Sequence, residues 1–149
     1  IAGDKDLIDI IKNYSLFRTY RCSPVTLFEL QETVLKYINK KEKEIPFWSL
    51  ITVSYSSLEE RCKNIAKSIS FSSSVVEGKS VIGGGTLPGV TLESPILLID
   101  DKKPENIINR LIKNDIPVLP RIIKDKVCLD LRSVFQDQDG VIVQALNNS

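Results

Sequence analysis

Apolar residues recur at helical spacing through the first part of the chain. A short helix is predicted from the spacing of Leu7, Ile8 and Ile11. Asp4 lies just before them, and aspartate is a common N-cap residue. A longer apolar stripe begins behind Thr26 and predicts an amphipathic helix. Its members are Leu27, Leu30, Val34, Leu35 and Ile38.

The helical pattern is interrupted and then resumes. The segment IPFWSLIT breaks it, since it contains Pro46, and it also holds the only tryptophan, Trp48. Periodicity returns from Leu58 to Ile69 and predicts another helix, with Ser56 or Ser57 as its N-cap.

The second half of the chain changes character. Three segments rich in β-branched residues predict strands: 73–83, 89–100 and 118–134. The last of these reads as a hairpin turning at 124–126. A helix is predicted over 103–115, with Pro104 near its start, and another from about Asp137 through Leu146. This order predicts an α+β fold with helices packed against one face of a sheet.

Composition narrows the function classes. The chain has 42% hydrophobic and 26% charged residues, a composition typical of one globular domain. Its net charge of +1 argues against a binding mode dominated by a bulk basic surface. Histidine is absent, which excludes imidazole-based triads and zinc sites within this chain. No apolar run approaches a membrane span of ~20 residues. Three widely spaced cysteines, Cys22, Cys62 and Cys128, match neither a disulfide framework nor a metal site and favour a reducing cytoplasm.

Four of the seven glycines fall in the segment SVIGGGTLPGVTLES. A Walker loop requires Gly-Lys-Ser/Thr at its end, whereas Gly89 is followed by Val90 and Thr91. A dinucleotide fingerprint requires a helix next, and here a strand is predicted. The segment is therefore interpreted as a connection between two strands, in which glycine permits unusual backbone angles.

Two groups of charged residues are candidates for chemistry. Arg18 and Arg21 lie three apart and would point the same way on a helical turn, where they could bind an oxyanion; the alternative is two solvated side chains. Asp130 and Arg132 alternate along the last predicted strand and would share one face. Those two could equally pair with each other or with solvent.

Several segments together resemble bacterial selenocysteine synthases, the L-seryl-tRNA(Sec) selenium transferases. They are IAGDKDLIDIIKNYSLFRTYR, VTLFELQETVLKYI, EIPFWSLIT, GGGTLPGVTL and PVLPRIIKDKVCLDLRSV, in that order. The resemblance covers essentially the whole chain and concerns the C-terminal part of that family. Together with the start at Ile1 and the absence of methionine, it leads us to expect a fragment of a longer protein.

The resemblance implies a fold and a reaction. The family is similar to the aspartate-aminotransferase group, fold type I, of enzymes that use pyridoxal 5'-phosphate. On this basis residues 1–46 are expected to end the large cofactor domain and include the long interdomain helix, and residues 47–149 to form the small α+β domain. The expected reaction converts seryl-tRNA(Sec) to selenocysteyl-tRNA(Sec) with selenophosphate, and the cofactor serves as the electron sink.

The resemblance also assigns residues. The Schiff-base lysine is expected upstream of Ile1, so no catalytic or cofactor-binding residue is expected here, and no metal ligand is proposed. Arg18 and Arg21 match a family Arg-x-x-Arg pair that would bind the anionic selenium donor. Arg132 is a further substrate-binding candidate, for which a structural role is the alternative. A cytoplasmic homo-oligomer that binds tRNA mainly through upstream residues is implied, without membrane association.

The chain departs from the family pattern directly after Arg21. The family continues with an apolar residue and then Asp-Lys, whereas Cys22, Ser23 and Pro24 follow here. Two alternatives stay open, the first because of this departure and the second because the Schiff-base lysine is expected upstream and histidine is absent. One is a divergent homologue that keeps the cofactor but acts on another amino-acid substrate, and the other is a non-catalytic α+β interaction module.

Overall fold

The computed structural model describes residues 3–83 and 89–148. The chain divides into two compact units, residues 1–45 and 46–149. The assignment of the first unit to a cofactor domain stays a prediction.

The first unit consists of two α-helices and two 3₁₀ turns. Helix α1 spans Lys5–Asn13, and the carboxylate of Asp4 accepts hydrogen bonds from the first free N–H groups, as predicted. A 3₁₀ turn follows over Ser15–Tyr20. Helix α2 spans Pro24–Ile38, and a second 3₁₀ turn spans Glu42–Glu44.

Helix α2 starts two residues before the predicted Thr26. The side chain of Ser23 accepts a hydrogen bond from the Thr26 N–H, and Pro24 occupies the first helical position, where its missing N–H is not needed. Pro24 therefore begins a helix.

None of the four helical elements of the first unit contains a buried residue. The predicted apolar stripe of α2 is exposed throughout: Leu27, Leu30, Val34, Leu35 and Ile38. Four apolar residues on α1 or next to it are exposed as well: Leu7, Ile10, Ile11 and Tyr14.

The second unit begins with two helices. The segment expected to be only a break forms helix α3, Pro46–Ile51, because a proline is compatible with the first helical position. Helix α4 spans Tyr55–Ser68. The prediction of Ser56 or Ser57 as its N-cap was wrong: the side chain of Ser54 accepts from the Ser57 N–H and caps the helix.

Four antiparallel strands form the sheet, in the order β1-β2-β4-β3. Strand β1 spans Ser72–Val81 and pairs with β2, Thr91–Asp100, over their whole length. The short strand β3, Arg121–Ile123, pairs with β4, Lys126–Asp130. Only two residues, Lys124 and Asp125, form the turn, and both have positive φ, as a type I′ hairpin requires.

The core lies between one face of this sheet and three helices. Helix α5 spans Pro104–Lys113 and helix α6 spans Asp139–Asn147, which begins two residues after the expected Asp137. Together with α4 they cover the sheet, which confirms the predicted α+β class for the described residues. The buried cluster includes Leu58, Cys62 and Ile65 of α4, Leu97 and Ile99 of β2, Val127 and Leu129 of β4, Ile107 and Leu111 of α5, and Ile142 and Leu146 of α6.

A buried ion pair joins α4 to the C-terminal part. The guanidinium of Arg61 donates to both carboxylate oxygens of Asp139, at 2.9 and 2.7 Å, and to the carbonyls of Leu131 and Val134. Because the charge and most donors are satisfied, this arginine can lie in the interior. Among the described residues, no helix is both long and apolar enough to cross a membrane.

Candidate functional site

The predicted arginine pair lies in the first unit at a 3₁₀ turn. Arg18 is inside the turn, Arg21 directly follows it, and the Arg21 N–H donates to the Arg18 carbonyl. Three residues complete one 3₁₀ turn, so positions three apart lie over one another. Both side chains are exposed, and neither has a recorded ion pair within the described ranges 3–83 and 89–148. Their joint binding of an oxyanion stays a prediction.

A polar cluster in the second unit centres on Asp130, the last residue of β4. Its Oδ1 accepts from Ser94 Oγ at 2.9 Å and from the backbone N–H of Arg132 at 3.2 Å. Its Oδ2 accepts from Ser80 Oγ and from Arg121 Nη2, the latter at 3.1 Å. We call these residues, Ser80, Ser94, Arg121 and Asp130, the Asp130 cluster.

Strand register explains why the cluster forms. Asp130 lies opposite Ile96, so Ser94 is its diagonal neighbour on β2, and Arg121 lies opposite Cys128, two positions from Asp130. Side chains two apart on a strand share a face, and Leu97 and Leu129 occupy the other, helix-covered face. The cluster therefore lies on the face away from α4, α5 and α6, at one end of the sheet.

An open cleft of about 620 Å³ adjoins this end of the sheet. Three charged residues line it: Arg121, Asp130 and Arg132. Most of its other walls are apolar, with contributions from Phe47, Leu50, Leu92, Val118, Leu131 and Val141. A volume of this size is within the range of small-molecule sites.

Arg132 is placed differently from the prediction. Strand β4 ends at Asp130 and a 3₁₀ turn spans Leu131–Ser133, so the prediction that Asp130 and Arg132 share a strand face was wrong. The Arg132 side chain is only 8% exposed. Its Nη1 donates to the carbonyls of Ile51 and Val53, at 3.1 and 2.9 Å, and its Nη2 to that of Glu93, at 2.7 Å.

These bonds favour the structural alternative for Arg132. They connect the segment around α3 to the sheet, and they leave no terminal nitrogen of the guanidinium without a partner. Within the described part of the chain, no carboxylate pairs with this guanidinium, so its positive charge stays uncompensated beneath the cleft.

The three thiols differ in their environment. Cys22 is exposed, whereas Cys62 and Cys128 are buried and none forms a disulfide. Burial raises the pKa of Cys62 from 9.0 to about 12, and burial likewise raises the pKa of Cys128. The buried thiols are therefore protonated at neutral pH and serve as packing groups.

Comparison with known proteins identifies the family. The family model described as L-seryl-tRNA selenium transferase, SelA, matches residues 1–135. This chain belongs to the SelA family. The L-seryl-tRNA(Sec) selenium transferase of Clostridium perfringens is 33% identical over 155 aligned residues, which cover 98% of this chain and 34% of that protein. The enzymes of the same name from Aliarcobacter butzleri and Clostridium botulinum are 31% and 30% identical to this chain. The aligned segment makes up 33% of the length of each of those proteins.

The chain thus spans about a third of the length of the curated relatives it matches. Ser23 and Pro24, which directly follow Arg21 and Cys22, are the N-cap and the first residue of α2.

The described residues do not fit pyridoxal 5'-phosphate. A Schiff base requires a lysine amine, and none of the described residues that line the cleft is a lysine. Among the described elements, the strand β2 comes next after β1 along the chain, whereas a phosphate loop leads into a helix. Gly84 and Gly85, together with residues 86–88, lie outside the described residues. We therefore assign no step of the reaction to the cofactor in this chain.

Sequence reasoning missed Ser80, Ser94 and Arg121. The signal that could have found Arg121 was the hairpin length, because a two-residue turn at Lys124–Asp125 brings it diagonally next to Asp130. The two serines could not be found in this way, since the pairing of β2 with β4 joins strands that are not consecutive in sequence.

Proposed function

We propose that this chain forms the C-terminal part of a selenium transferase that converts seryl-tRNA(Sec) to selenocysteyl-tRNA(Sec) with selenophosphate and depends on pyridoxal 5'-phosphate. The observation that carries the proposal is the SelA family match over residues 1–135. Relatives named L-seryl-tRNA(Sec) selenium transferase match nearly the whole chain. We further propose a fold type I enzyme that works in the cytoplasm as a homo-oligomer.

Within this chain, the proposed contribution to the reaction is anion binding by Arg18 and Arg21. Both guanidinium groups are exposed at one 3₁₀ turn, and guanidinium groups bind phosphate oxygens through paired, charge-assisted hydrogen bonds. The near-zero net charge supports the expectation that the main tRNA contact lies in the rest of the longer protein.

The apolar surface of the first unit supports membership in a larger assembly. Its two helices, α1 and α2, contain no buried residue, although α2 alone exposes Val25, Leu27, Phe28, Leu30, Val34, Leu35, Tyr37 and Ile38. Exposed apolar patches of this kind mark interaction sites. In our proposal, α1 and α2 pack against other polypeptide of the complete enzyme.

The test uses the longer protein that contains this chain, with Arg18 and Arg21 both replaced by alanine. Conversion of seryl-tRNA(Sec) with selenophosphate should fall by at least about 100-fold, as expected when two charge-assisted contacts to one anion are lost. The absorbance of the bound cofactor should stay unchanged. The control is Lys5→Ala plus Lys43→Ala, which removes two exposed positive charges from the same unit.

Three results would contradict the proposal. Unchanged turnover in the double arginine variant would refute the anion site. An unsubstituted protein that shows cofactor absorbance but does not convert seryl-tRNA(Sec) would be the divergent homologue, and one without cofactor absorbance would be an interaction module.

A further inference from the structure

The charge balance of the cleft in the second unit is unusual for an apolar cavity. Its three charged lining residues are Arg121, Asp130 and Arg132, which together give one net positive charge. The Arg132 guanidinium donates to main-chain carbonyls, so none of the described carboxylates neutralises it. Low-dielectric walls strengthen the field of such a charge inside a cleft.

Arg121 presents the donors that a ligand could reach. Its side chain is 47% exposed, and only Nη2 is engaged, by Asp130. Its Nε and Nη1 have no recorded hydrogen-bond partner within the described ranges. Each free donor of a guanidinium can form a charge-assisted hydrogen bond to an oxyanion.

Asp130 orients this guanidinium. The carboxylate is held by both serines of the Asp130 cluster and by the Arg132 N–H, and its side chain is only 12% exposed. Because this carboxylate is fixed, it limits the rotamers of Arg121 before a ligand binds. Less side-chain entropy is therefore lost on binding. The cluster therefore preorganises one cation at the rim of an apolar cavity.

We propose that the cleft binds a small ligand that joins an oxyanion to an apolar body, with Arg121 as the anion-binding residue. The oxyanion accepts a charge-assisted hydrogen bond from one free donor of Arg121, Nε or Nη1. The apolar body lies against walls that include Leu50, Leu92 and Val118. The proposal does not depend on the selenium-transferase function, because it concerns binding by this chain alone.

The test is titration of the isotope-labelled 149-residue chain with four probes, followed by two-dimensional NMR of the backbone amides. The probes are phenyl phosphate, benzoate, inorganic phosphate and benzyl alcohol. We expect saturable shifts around Arg121, Asp130 and Leu92 with the two aromatic anions. Benzyl alcohol and inorganic phosphate should each bind at least about tenfold more weakly, since each lacks one half of the ligand.

The variant Arg121→Gln should weaken binding of both aromatic anions by at least about tenfold, the loss expected for one charge-assisted contact. Lys126→Gln is the matched control, because it removes an exposed cation from the adjoining strand β4 without touching the cleft. Arg121→Lys, which keeps the charge but not the planar guanidinium, should be intermediate. If a variant fails to fold, the salt dependence of binding to the unsubstituted chain gives the same information, because an ionic contact weakens as salt increases.

The comparison of probes also identifies the source of the ligand. Tighter binding of phenyl phosphate would indicate a phosphate-bearing molecule, and tighter binding of benzoate a carboxylate. The proposal is overturned if no aromatic anion gives saturable shifts at the cleft, if inorganic phosphate binds as tightly as phenyl phosphate, or if Arg121→Gln and Lys126→Gln behave alike.

Discussion

Replacing Arg132 with methionine should destabilise the chain by about 3 kcal/mol, because the guanidinium donates to three main-chain carbonyls in the interior. Each buried carbonyl that loses its donor costs about 1–3 kcal/mol. Methionine fills a similar volume and relieves the desolvation penalty of the buried cation, which offsets part of that loss. Three carbonyls at the lower end of this range, about 1 kcal/mol each, therefore give the expected net loss of about 3 kcal/mol in the free energy of unfolding.

The assay is urea unfolding of the 149-residue chain, followed by far-UV circular dichroism and by the emission of Trp48. The two probes report on different parts, since Trp48 is the only tryptophan and lies in α3, whose last residue, Ile51, accepts from Arg132. We expect a lower midpoint with an unchanged slope in both probes.

Two further variants separate the causes of this loss. Arg132→Lys keeps the charge but cannot reach three carbonyls in fixed geometry, so its loss should be intermediate. Lys126→Met removes an exposed cation that pairs with Asp100 at 2.6 Å and should cost about 0–1 kcal/mol. A loss below about 1 kcal/mol for Arg132→Met would refute the structural assignment and restore the substrate-binding hypothesis for this residue.

Two other predictions concern packing and pH. A Cβ at Gly78 would collide with the side chain of Ile96, so Gly78→Ala should lower the free energy of unfolding by about 1–3 kcal/mol. A Cβ at Gly140 meets open space, so Gly140→Ala should be neutral or stabilising by up to about 1 kcal/mol. Equal losses of stability in urea unfolding would contradict this prediction. Burial raises the pKa of Cys62 to about 12, so the unfolded chain loses this proton first and stability should fall as pH rises from about 9 towards 12. Unfolding measured across that range should show a shallower fall for Cys62→Ala, and an identical slope would exclude the contribution of this thiol.

Local signals were sufficient where neighbours along the chain decide the structure. The cap at Asp4, the helix over α5 and the hairpin of β3 and β4 all follow from residues within a few positions of one another. The errors were also local, at the cap of α4 and at α3, where Pro46 begins a helix. In these places a residue compatible with two conformations was assigned the wrong one.

The candidate sites depended on sequence to different degrees. Arg18 and Arg21 are close in sequence, so their spacing alone placed them at one turn. Arg132 required the tertiary structure, because its partners Ile51 and Glu93 are far from it in sequence. The same is true of the Asp130 cluster, whose members come from all four strands.

The amino-acid sequence by itself determined the family, the α+β class and the exclusion of imidazole chemistry, because these depend on residue identity and on spacing along the chain. Only the tertiary structure decided that Arg132 is buried among carbonyls while Arg121 keeps free donors at a cleft. The physical reason is that burial and hydrogen-bond saturation are set by strand register and by contacts between distant segments. Two arginines eleven positions apart can therefore look equivalent in sequence and differ entirely in what their guanidinium groups can bind.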